Sequence, residues 1–313
     1  MIPPPKLPVL VLTGFLGSGK TTLLNGLIKH WPRSAVLINE FGATPVDQQL
    51  LGQSDIALTV LAGGCLCCQM RDALAPTLKN LWMAWSTQKS FERLIVEASG
   101  VASPEPVLDV LLRERWLSTR LHLQGVATTL AVPSAEEQLA RFPEAVAQAV
   151  WADVLVLTQA DLADAQCLSR LEAKLAAILP ATPRLQARQG EVDPKSLLEG
   201  QDRRLRRVPV GTEPLVHGFH SVSLRLEQPV AWPRLVSLLS VLLARPGMLR
   251  VKGVVYMPGD PAPMVVQGAY GHLYPPLPLA QLPGGDGIGR LVFIADGEMG
   301  GLEEELTAAL GGA

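Results

Sequence analysis

The segment Gly14–Thr21 reads GFLGSGKT and follows directly on the apolar run Val9–Leu12. It satisfies the pattern G-x-x-x-x-G-K-[ST], which belongs between a buried strand and a helix. Glycines in such a loop let successive backbone N–H groups turn toward one anion, and a helix that begins near Thr21 directs its positive end to the same place. The segment therefore predicts a phosphate-binding loop, and with it a nucleoside triphosphate site on an α/β sheet.

The side chains of this loop have distinct predicted roles. Lys20 can reach the β- and γ-phosphates, where it would neutralise charge during catalysis, and the Thr21 hydroxyl can bind Mg²⁺. The predicted contacts to the nucleotide are Gly17, Ser18, Gly19, Lys20, Thr21 and Thr22.

The composition narrows the class of protein. The 313 residues leave room for roughly two domains, and 48% hydrophobic with 18% charged residues is typical of a folded chain. A formal net charge of -2 gives no electrostatic argument for nucleic acid or an anionic membrane as a partner. No apolar run approaches the ~18 residues of a membrane span, and the first residues lack the features of a signal peptide. We therefore expect a cytoplasmic protein.

The organisation of the chain suggests two domains. Short apolar runs alternate with amphipathic stretches over residues 1–180, which predicts a P-loop-type parallel sheet flanked by helices. The periodicity fades over residues 181–214, which we interpret as a linker, and residues 215–313 read as a smaller α+β domain. The predicted strands of the first domain are Val9–Leu12, Ser34–Ile38, Ala57–Leu61, Arg93–Val96, Gly125–Ala131 and Val154–Leu157, and its predicted helices are Thr21–His30, Met70–Trp85, Glu105–Arg115, Ala135–Ala149 and Ala163–Leu179.

A second acidic residue is needed near a Mg²⁺ ion at a phosphate loop. The predicted strand Arg93–Val96 is followed by Glu97, and Gly100 comes three residues later. This Glu-x-x-Gly pattern resembles the DxxG switch of GTPases, in which the glycine N–H meets the γ-phosphate. The alternative is an ordinary strand-end glutamate in a solvent-facing turn.

Another acidic segment, Asn39–Gly42, follows a predicted buried strand and leads to Asp47. A carboxylate such as Glu40 could orient the attacking water or hold a metal ion, because phosphoryl transfer depends on positioning and charge neutralisation. Taken alone, the segment is only a turn signal.

Three of the four cysteines lie within four residues, after a pair of glycines. Such clustering indicates a reducing compartment and metal or thiol chemistry rather than a disulfide framework. Cys65, Cys67 and Cys68 could converge on one soft or borderline ion, although inert buried cysteines are also common. A second CxxC pair that would close a structural zinc site does not occur, which favours an openable site. Cys167 reads as a core residue.

Together these segments resemble the CobW-type metallochaperone GTPase family. The matching pieces are GFLGSGKTT (Gly14–Thr22), NEFG with Asp47, GGCLCC (Gly63–Cys68) and ERLIVEASG (Glu92–Gly100), with Arg250–Gly253 and Leu291–Ile294 in the second half. The resemblance implies hydrolysis of GTP with Mg²⁺, coupled to delivery of a transition metal to a client metalloprotein. Zn²⁺ is the expected metal, with Co²⁺ or Ni²⁺ as alternatives, and the protein could form a homo-oligomer. The residues implied are Thr21 and Glu97 for Mg²⁺, Lys20, Glu40 and Glu97 for catalysis, and Cys65, Cys67, Cys68 and Glu40 for the transition metal.

The chain departs from the family pattern at two places. The guanine-reading motif N/T-K-x-D corresponds to Thr158, Gln159 and Asp161, so Asp161 keeps the carboxylate that would accept from guanine while Gln159 replaces the lysine. We expect guanine preference with weaker binding or relaxed discrimination. The strand that ends near Ala131 also lacks the acidic residue that relatives usually carry. An H-x-x-H pair, His217 and His220, is too weak a signal to assign.

Two other functions remain open from the sequence. The chain could be a nucleotide-dependent regulatory switch in which the cysteines only shape the switch, without metal delivery. It could also be an NTPase of relaxed specificity or a P-loop kinase, although no acceptor-substrate lid is evident.

Overall fold

The computed structural model describes residues 6–41, 58–63, 68–202, 219–269, 271–279, 287–296 and 301–311. The chain divides into two compact units, Met1–Val208 and Pro209–Ala313.

The first unit contains a parallel sheet of seven strands in the order β3-β2-β4-β1-β5-β6-β7. Its central strands are buried almost completely, because helices cover both faces of a parallel sheet. This confirms the predicted α/β class. The strands are β1 (Leu7–Gly14), β2 (Ser34–Phe41), β3 (Leu58–Gly63), β4 (Arg93–Ala98), β5 (Leu121–Ala131), β6 (Val154–Thr158) and β7 (Arg184–Gln186).

The helices of the first unit follow the predicted ones, with two differences. Residues 135–149 were predicted as one helix but form parts of two, because Phe142 is extended (φ −119°, ψ 111°), as a residue before proline tends to be. The predicted helix Glu105–Arg115 ends earlier, at Arg113. Glu114 is also extended, and its carboxylate accepts from the Leu117 N–H at 2.7 Å to begin the next helix. The helices are α1 (Lys20–His30), α2 (Cys68–Gln88), α3 (Glu105–Arg113), α4 (Arg115–Ser118), α5 (Val132–Arg141), α6 (Pro143–Val150), α7 (Ala165–Ile178) and α8 (Pro194–Asp202).

The interval 181–214, interpreted from the sequence as a linker, contains structured residues of the first unit. Strand β7 pairs in parallel with β6, and helix α8 places Leu197 in the same apolar cluster as Leu10 and Leu23. A three-residue edge strand and a short polar helix carry no detectable periodicity, which explains why the sequence suggested an earlier boundary. Residues 203–214 lie outside the described part of the chain.

Helix α1 is fixed on the sheet by its apolar side. Leu23 and Leu27 are fully buried and pack in one cluster with Leu12, Val36 and Ile95 of the central strands. Because this packing fixes the start of α1 relative to the end of β1, it also fixes the loop between them.

The second unit is a smaller α+β fold, as predicted. Its six-stranded sheet has the order β11-β10-β9-β13-β8, with β12 paired to β10, and its pairings are antiparallel. Two helices, α9 (Trp232–Leu243) and α10 (Leu302–Gly311), pack their apolar residues on one face of the sheet. The strands are β8 (Phe219–Leu226), β9 (Met248–Met257), β10 (Asp260–Ala269), β11 (His272–Leu273), β12 (Leu277–Pro278) and β13 (Gly289–Asp296).

Among the described residues, no helix is both long enough and apolar enough to cross a membrane.

Candidate nucleotide-binding site

The predicted phosphate loop lies between the carboxyl end of β1 and the first turn of α1. Gly19 caps the helix in the left-handed conformation (φ 84°, ψ 20°), which glycine adopts without steric cost. A Cβ atom at Gly14 would clash with Thr129 Oγ1 and would stand 2.6 Å from the Thr129 carbonyl oxygen. The loop therefore needs glycine at both places, for its backbone conformation at Gly19 and for close packing at Gly14.

Lys20 lies inside the loop rather than in solvent. Its side chain is buried, and Nζ donates to the carbonyl oxygens of Gly14 (2.9 Å) and Phe15 (3.4 Å). The ammonium group is thus held on the concave side of a loop whose N–H groups would face an anion.

Thr21 and Glu97 come together beside the loop. The Thr21 hydroxyl donates to Glu97 Oε1 at 3.4 Å, and Glu97 is only 3% exposed. Strand β4 pairs with β1 so that Glu97 lies opposite Leu12, two residues before the loop. A hydroxyl and a buried carboxylate oxygen are hard ligands of the kind that Mg²⁺ prefers, so these residues fit the ion predicted here.

The turn after β4 touches the phosphate loop. At Gly100 an added Cβ would stand 2.9 Å from Leu16 Cδ2 and 3.0 Å from Lys20 Nζ. The backbone of Gly100 therefore lies close to the ammonium group of the loop lysine.

Buried hydroxyl groups hold the phosphate loop from the neighbouring strands. Ser18 Oγ and Thr129 Oγ1 share a hydrogen bond of 2.6 Å, and Thr129 Oγ1 also contacts the Thr13 carbonyl at 3.3 Å. On β6, the Thr158 hydroxyl donates to the Ser18 carbonyl at 2.7 Å. Thr158 was predicted at the nucleotide, and it reaches the loop backbone. Thr129 was missed, and its only signal is a polar residue within an apolar strand.

The predicted base-reading residues follow β6. Gln159 adopts the left-handed conformation (φ 54°), and its side-chain Nε2 donates to the carbonyl oxygen of Gly17 at 3.1 Å. Asp161 lies in the short 3₁₀ helix Ala160–Leu162 and lines a cavity of about 520 Å³. That volume is within the range typical of small-molecule sites. The cavity is lined by Ala160, Asp161, Leu168, Gln186, Arg188 and Gln189.

The loop after β7 forms part of this cavity and was not predicted from the sequence. Arg188 and Glu191 exchange backbone hydrogen bonds of 3.1 and 2.9 Å, with Gln189 and Gly190 between them at positive φ. Hydrogen bonds from Lys29 and His30 at the end of α1 lower the pKa of the Glu191 carboxyl group. These contacts connect the loop after β7 to α1, the helix that follows the phosphate loop.

The predicted transition-metal site is mostly beyond what the structure describes. Cys65, Cys67, Asp47 and His217 lie outside the described residues, and Cys68 is the first residue of α2. The backbones of Glu40, in β2, and His220, in β8, are described, but their side chains are not. Within the described part of the chain, no group of three or more His, Cys, Asp or Glu side chains is placed to hold a metal ion.

The structure thus gathers the predicted phosphate and Mg²⁺ residues at one edge of the sheet, with Asp161 at a cavity lined by residues that follow β6 and β7. The residues concerned are Gly17, Ser18, Gly19, Lys20, Thr21, Glu97, Gly100, Thr158 and Gln159, and Thr22 lies in the first turn of α1.

Comparison with known proteins gives consistent matches over both units. Residues 8–186 match the family model described as CobW/HypB/UreG, nucleotide-binding domain, and residues 219–313 match the cobalamin synthesis protein cobW C-terminal domain. The chain is 32% identical over 275 residues to the zinc chaperone YjiA of Escherichia coli (strain K12), covering 83% of this chain and 85% of that protein. It is 30% identical over 309 residues to the zinc chaperone CobW of Pseudomonas aeruginosa, with 84% and 80% covered. The crystal structure of Zn(II)-bound YjiA GTPase from E. coli superposes with a TM-score of 0.51 at 28% identity, over 98% of this chain and 99% of that one.

Proposed function

Because the chain belongs to the CobW/HypB/UreG family, with that family's nucleotide-binding domain followed by a cobW C-terminal domain, we propose that it is a metal-handling GTPase. In this proposal, hydrolysis of GTP is coupled to delivery of a transition metal, most simply Zn²⁺, to a client metalloprotein.

The observation that carries the hydrolase part is the Thr21–Glu97 contact beside the buried Lys20. Lys20 would neutralise the β- and γ-phosphates, since its ammonium group already lies within the loop. Thr21 and Glu97 would hold Mg²⁺, Thr21 directly and Glu97 through the ion's ligand shell. Bound there, Mg²⁺ would neutralise the charge that develops on the transferred phosphoryl group. Glu40 is the proposed group that orients the attacking water.

The proposed base is guanine. Asp161 lines a cavity two residues after Gln159, which contacts the phosphate loop, and its carboxylate can accept two hydrogen bonds from the N1–H and N2 amine of guanine. Gln159 would cover the ring with its aliphatic stem while its amide contacts Gly17. Because a neutral amide replaces the family's lysine, we expect discrimination against adenine to be weaker than in relatives that keep the lysine.

The proposed metal cargo would bind near the same edge of the sheet. Strand β2 ends at Phe41 and β3 ends at Gly63, and the two residues are paired in a parallel ladder that continues to β4 and β1. The carboxyl ends of parallel strands lie on one edge, so the segment with Cys65, Cys67 and Cys68 starts at the edge that carries the phosphate loop. Zinc is favoured because two curated relatives are named zinc chaperones and the YjiA structure contains Zn(II).

Two ligands that act on the same set of loops should influence each other's affinity. If the nucleotide and the metal both bias the loops after β2, β3 and β4, then each must change the affinity for the other by the same factor. Release of the γ-phosphate would then change the affinity for the metal and allow transfer to the client.

The test is a matrix of binding measurements on the full-length protein. The protein is titrated with GTP, a non-hydrolysable GTP analogue, ATP and GDP, always with Mg²⁺ present. Each titration is made with and without Zn²⁺, Co²⁺ or Ni²⁺. We expect GTP to bind more tightly than ATP, and Zn²⁺ affinity to differ between the GTP-analogue and GDP complexes. Equal metal affinities in both complexes would contradict the coupling.

A matched pair of cysteine variants completes this experiment. C67S should lower the metal stoichiometry or affinity, whereas C167S should not, because Cys167 lies in α7 with its thiol against the Val132 carbonyl. If C67S leaves metal stoichiometry and client activation unchanged, the protein is a nucleotide switch without metal delivery. Production of a phosphorylated acceptor instead of free phosphate would identify a kinase.

A further inference from the structure

The side chain of Gln148 connects helix α6 to the turn after β4. Gln148 is completely buried, and its Nε2 donates to the carbonyl oxygens of Gly100 (3.2 Å) and Ala102 (2.9 Å). Both carbonyls belong to residues 99–104, which we name the Gly100 turn. This is the turn that contacts Lys20 and Leu16 of the phosphate loop.

The orientation of the amide is fixed by its neighbours. Only the nitrogen end of a glutamine carries donors, and it has two of them, which match the two carbonyl acceptors. A flipped amide would point its oxygen at two carbonyl oxygens. Oε1 of Gln148 is buried and has no hydrogen-bond partner among the described residues. A buried polar atom without a partner is unfavourable, so Oε1 offsets part of the stability that the two hydrogen bonds of Nε2 contribute.

Two further hydrogen bonds connect helix α6, and the residue that follows it, to neighbouring elements. The buried Thr128 of β5 donates from its hydroxyl to the Gln148 backbone carbonyl at 2.8 Å. One turn later, Trp151 Nε1 donates to Glu105 Oε1 at 2.8 Å, where α3 begins after the Gly100 turn. The turn is therefore held against a helix that is anchored to the sheet next to the phosphate-loop strand.

The N–H of a glycine keeps a fixed direction only if contacts from other residues restrict its backbone dihedral angles. Glycine has more backbone freedom than any other residue, and Gly100 has no side chain with which to pack. The hydrogen bond from Gln148 to the Gly100 carbonyl restricts rotation about the α-carbon that joins this carbonyl to the backbone N–H predicted to meet the γ-phosphate. The second bond, to Ala102, restrains the rest of the turn.

We propose that Gln148 is a positioning residue that holds the Gly100 turn in the conformation suited to a nucleoside triphosphate, and that it thereby sets the preference for triphosphate over diphosphate. The inference rests on the proposed function, because it assigns the Gly100 N–H to the γ-phosphate. Gln148 acts through the turn and does not itself touch the nucleotide.

The test compares three variants of the full-length protein. Q148M keeps the length of the side chain and removes both donors, and Q148E keeps its shape but places an oxygen opposite the two carbonyls. Q124M is the matched control, because Gln124 is a partly buried glutamine in the first half of β5. Like Gln148, it has a buried Oε1 that accepts no hydrogen bond from the described residues. Affinities for a non-hydrolysable GTP analogue and for GDP are measured with Mg²⁺, together with the melting temperature.

We expect Q148M and Q148E to lower the affinity for the GTP analogue about tenfold, because the released turn would adopt the conformation suited to a triphosphate only about a tenth of the time. The affinity for GDP should stay close to wild type, and Q124M should change neither affinity. The melting temperature should fall modestly in Q148M and Q148E, because two buried hydrogen bonds are lost. An unchanged ratio of the two affinities in Q148M and Q148E would overturn the proposal. Parallel loss of both affinities with a lower melting temperature, or failure of both variants to fold, would also overturn it, because the role would then be structural. A wild-type protein that binds no guanine nucleotide would contradict the proposed function instead.

Discussion

The side-chain amide of Gln159 donates a hydrogen bond to the carbonyl oxygen of Gly17, 3.1 Å away. The residue that follows the sixth strand is thereby connected to the middle of the phosphate loop. The pattern N/T-K-x-D has a lysine at this position, and the contact shows that a neutral amide can also reach the loop backbone. The turn proposed to read the base and the predicted phosphate loop are therefore joined in this chain without a charged side chain.

Removal of this contact should weaken nucleotide binding without unfolding the protein. In Q159A, the lost hydrogen bond and stem should reduce GTP affinity about fivefold, since one net hydrogen bond contributes about 1 kcal/mol. Q159K should bind GTP at least as tightly as wild type and discriminate better against ATP. The check is titration of each variant with GTP and ATP. Unchanged GTP affinity in Q159A would show that the contact does not contribute to binding.

Glu97 should be needed for Mg²⁺-dependent hydrolysis. E97Q keeps the shape of the side chain but removes the charge next to Thr21, and we expect hydrolysis to fall about 10- to 100-fold, a typical cost of removing a group that supports a metal site. E92Q is the control, because Glu92 is an exposed residue on the same segment that pairs with Arg33. Phosphate release as a function of Mg²⁺ concentration measures both. Equal rates of phosphate release for E97Q and wild type would show that Glu97 does not contribute to the Mg²⁺ site.

Two glycine-to-alanine changes should affect different properties. G14A should lower stability, whereas G100A should lower the affinity for the triphosphate. In G14A the new methyl group would meet the backbone and hydroxyl of Thr129, so we expect a loss of stability of about 1–3 kcal/mol. In G100A it would meet mainly the flexible ends of Leu16 and Lys20, which can move. Its melting temperature should stay close to wild type, whereas triphosphate affinity should fall because Lys20 is displaced.

These effects are measured by denaturant unfolding and by nucleotide titration of both variants. A G100A protein with normal triphosphate affinity would mean that Gly100 is not close to the bound phosphate.

The ion pairs of Glu191 should make stability depend on pH in a defined direction. Hydrogen bonds from Lys29 and His30 lower the pKa of Glu191 below its usual value of 4.5. A carboxyl group with a lowered pKa stabilises the folded state fully above its unfolded pKa, and this contribution is lost as the pH falls through the folded-state pKa. E191Q should therefore be less stable than wild type at neutral pH, and the difference should shrink as the pH falls below 4.5.

Urea unfolding of wild type and E191Q between neutral pH and pH 3 measures this difference. A stability difference that stays constant over the whole range would contradict the assignment, because it would not follow the titration of a carboxyl group.

Several parts of the structure could be predicted because their signals are local in the sequence. The phosphate loop, the strand that contains Glu97 and the helix that begins at Lys20 each follow from a short pattern. The break of a predicted helix at Pro143 was missed, although proline restricts the residue before it, because the apolar pattern continues on both sides. Strand β7 was missed because three residues at a sheet edge carry no periodicity.

The sequence by itself determined which residues are predicted to carry the chemistry: a complete phosphate loop, a Glu-x-x-Gly segment, an aspartate after the sixth strand and a cluster of three cysteines. These signals are readable because each requires particular residue types at fixed spacing. Only the tertiary structure decided that Gln148, Thr129 and Arg188 lie beside them, at sequence separations of 48 residues for the Gln148–Gly100 bond and 111 for the Thr129–Ser18 bond. A buried amide or hydroxyl has no characteristic pattern in the chain, because its role depends on which carbonyl or hydroxyl the folded sheet brings within about 3 Å of it.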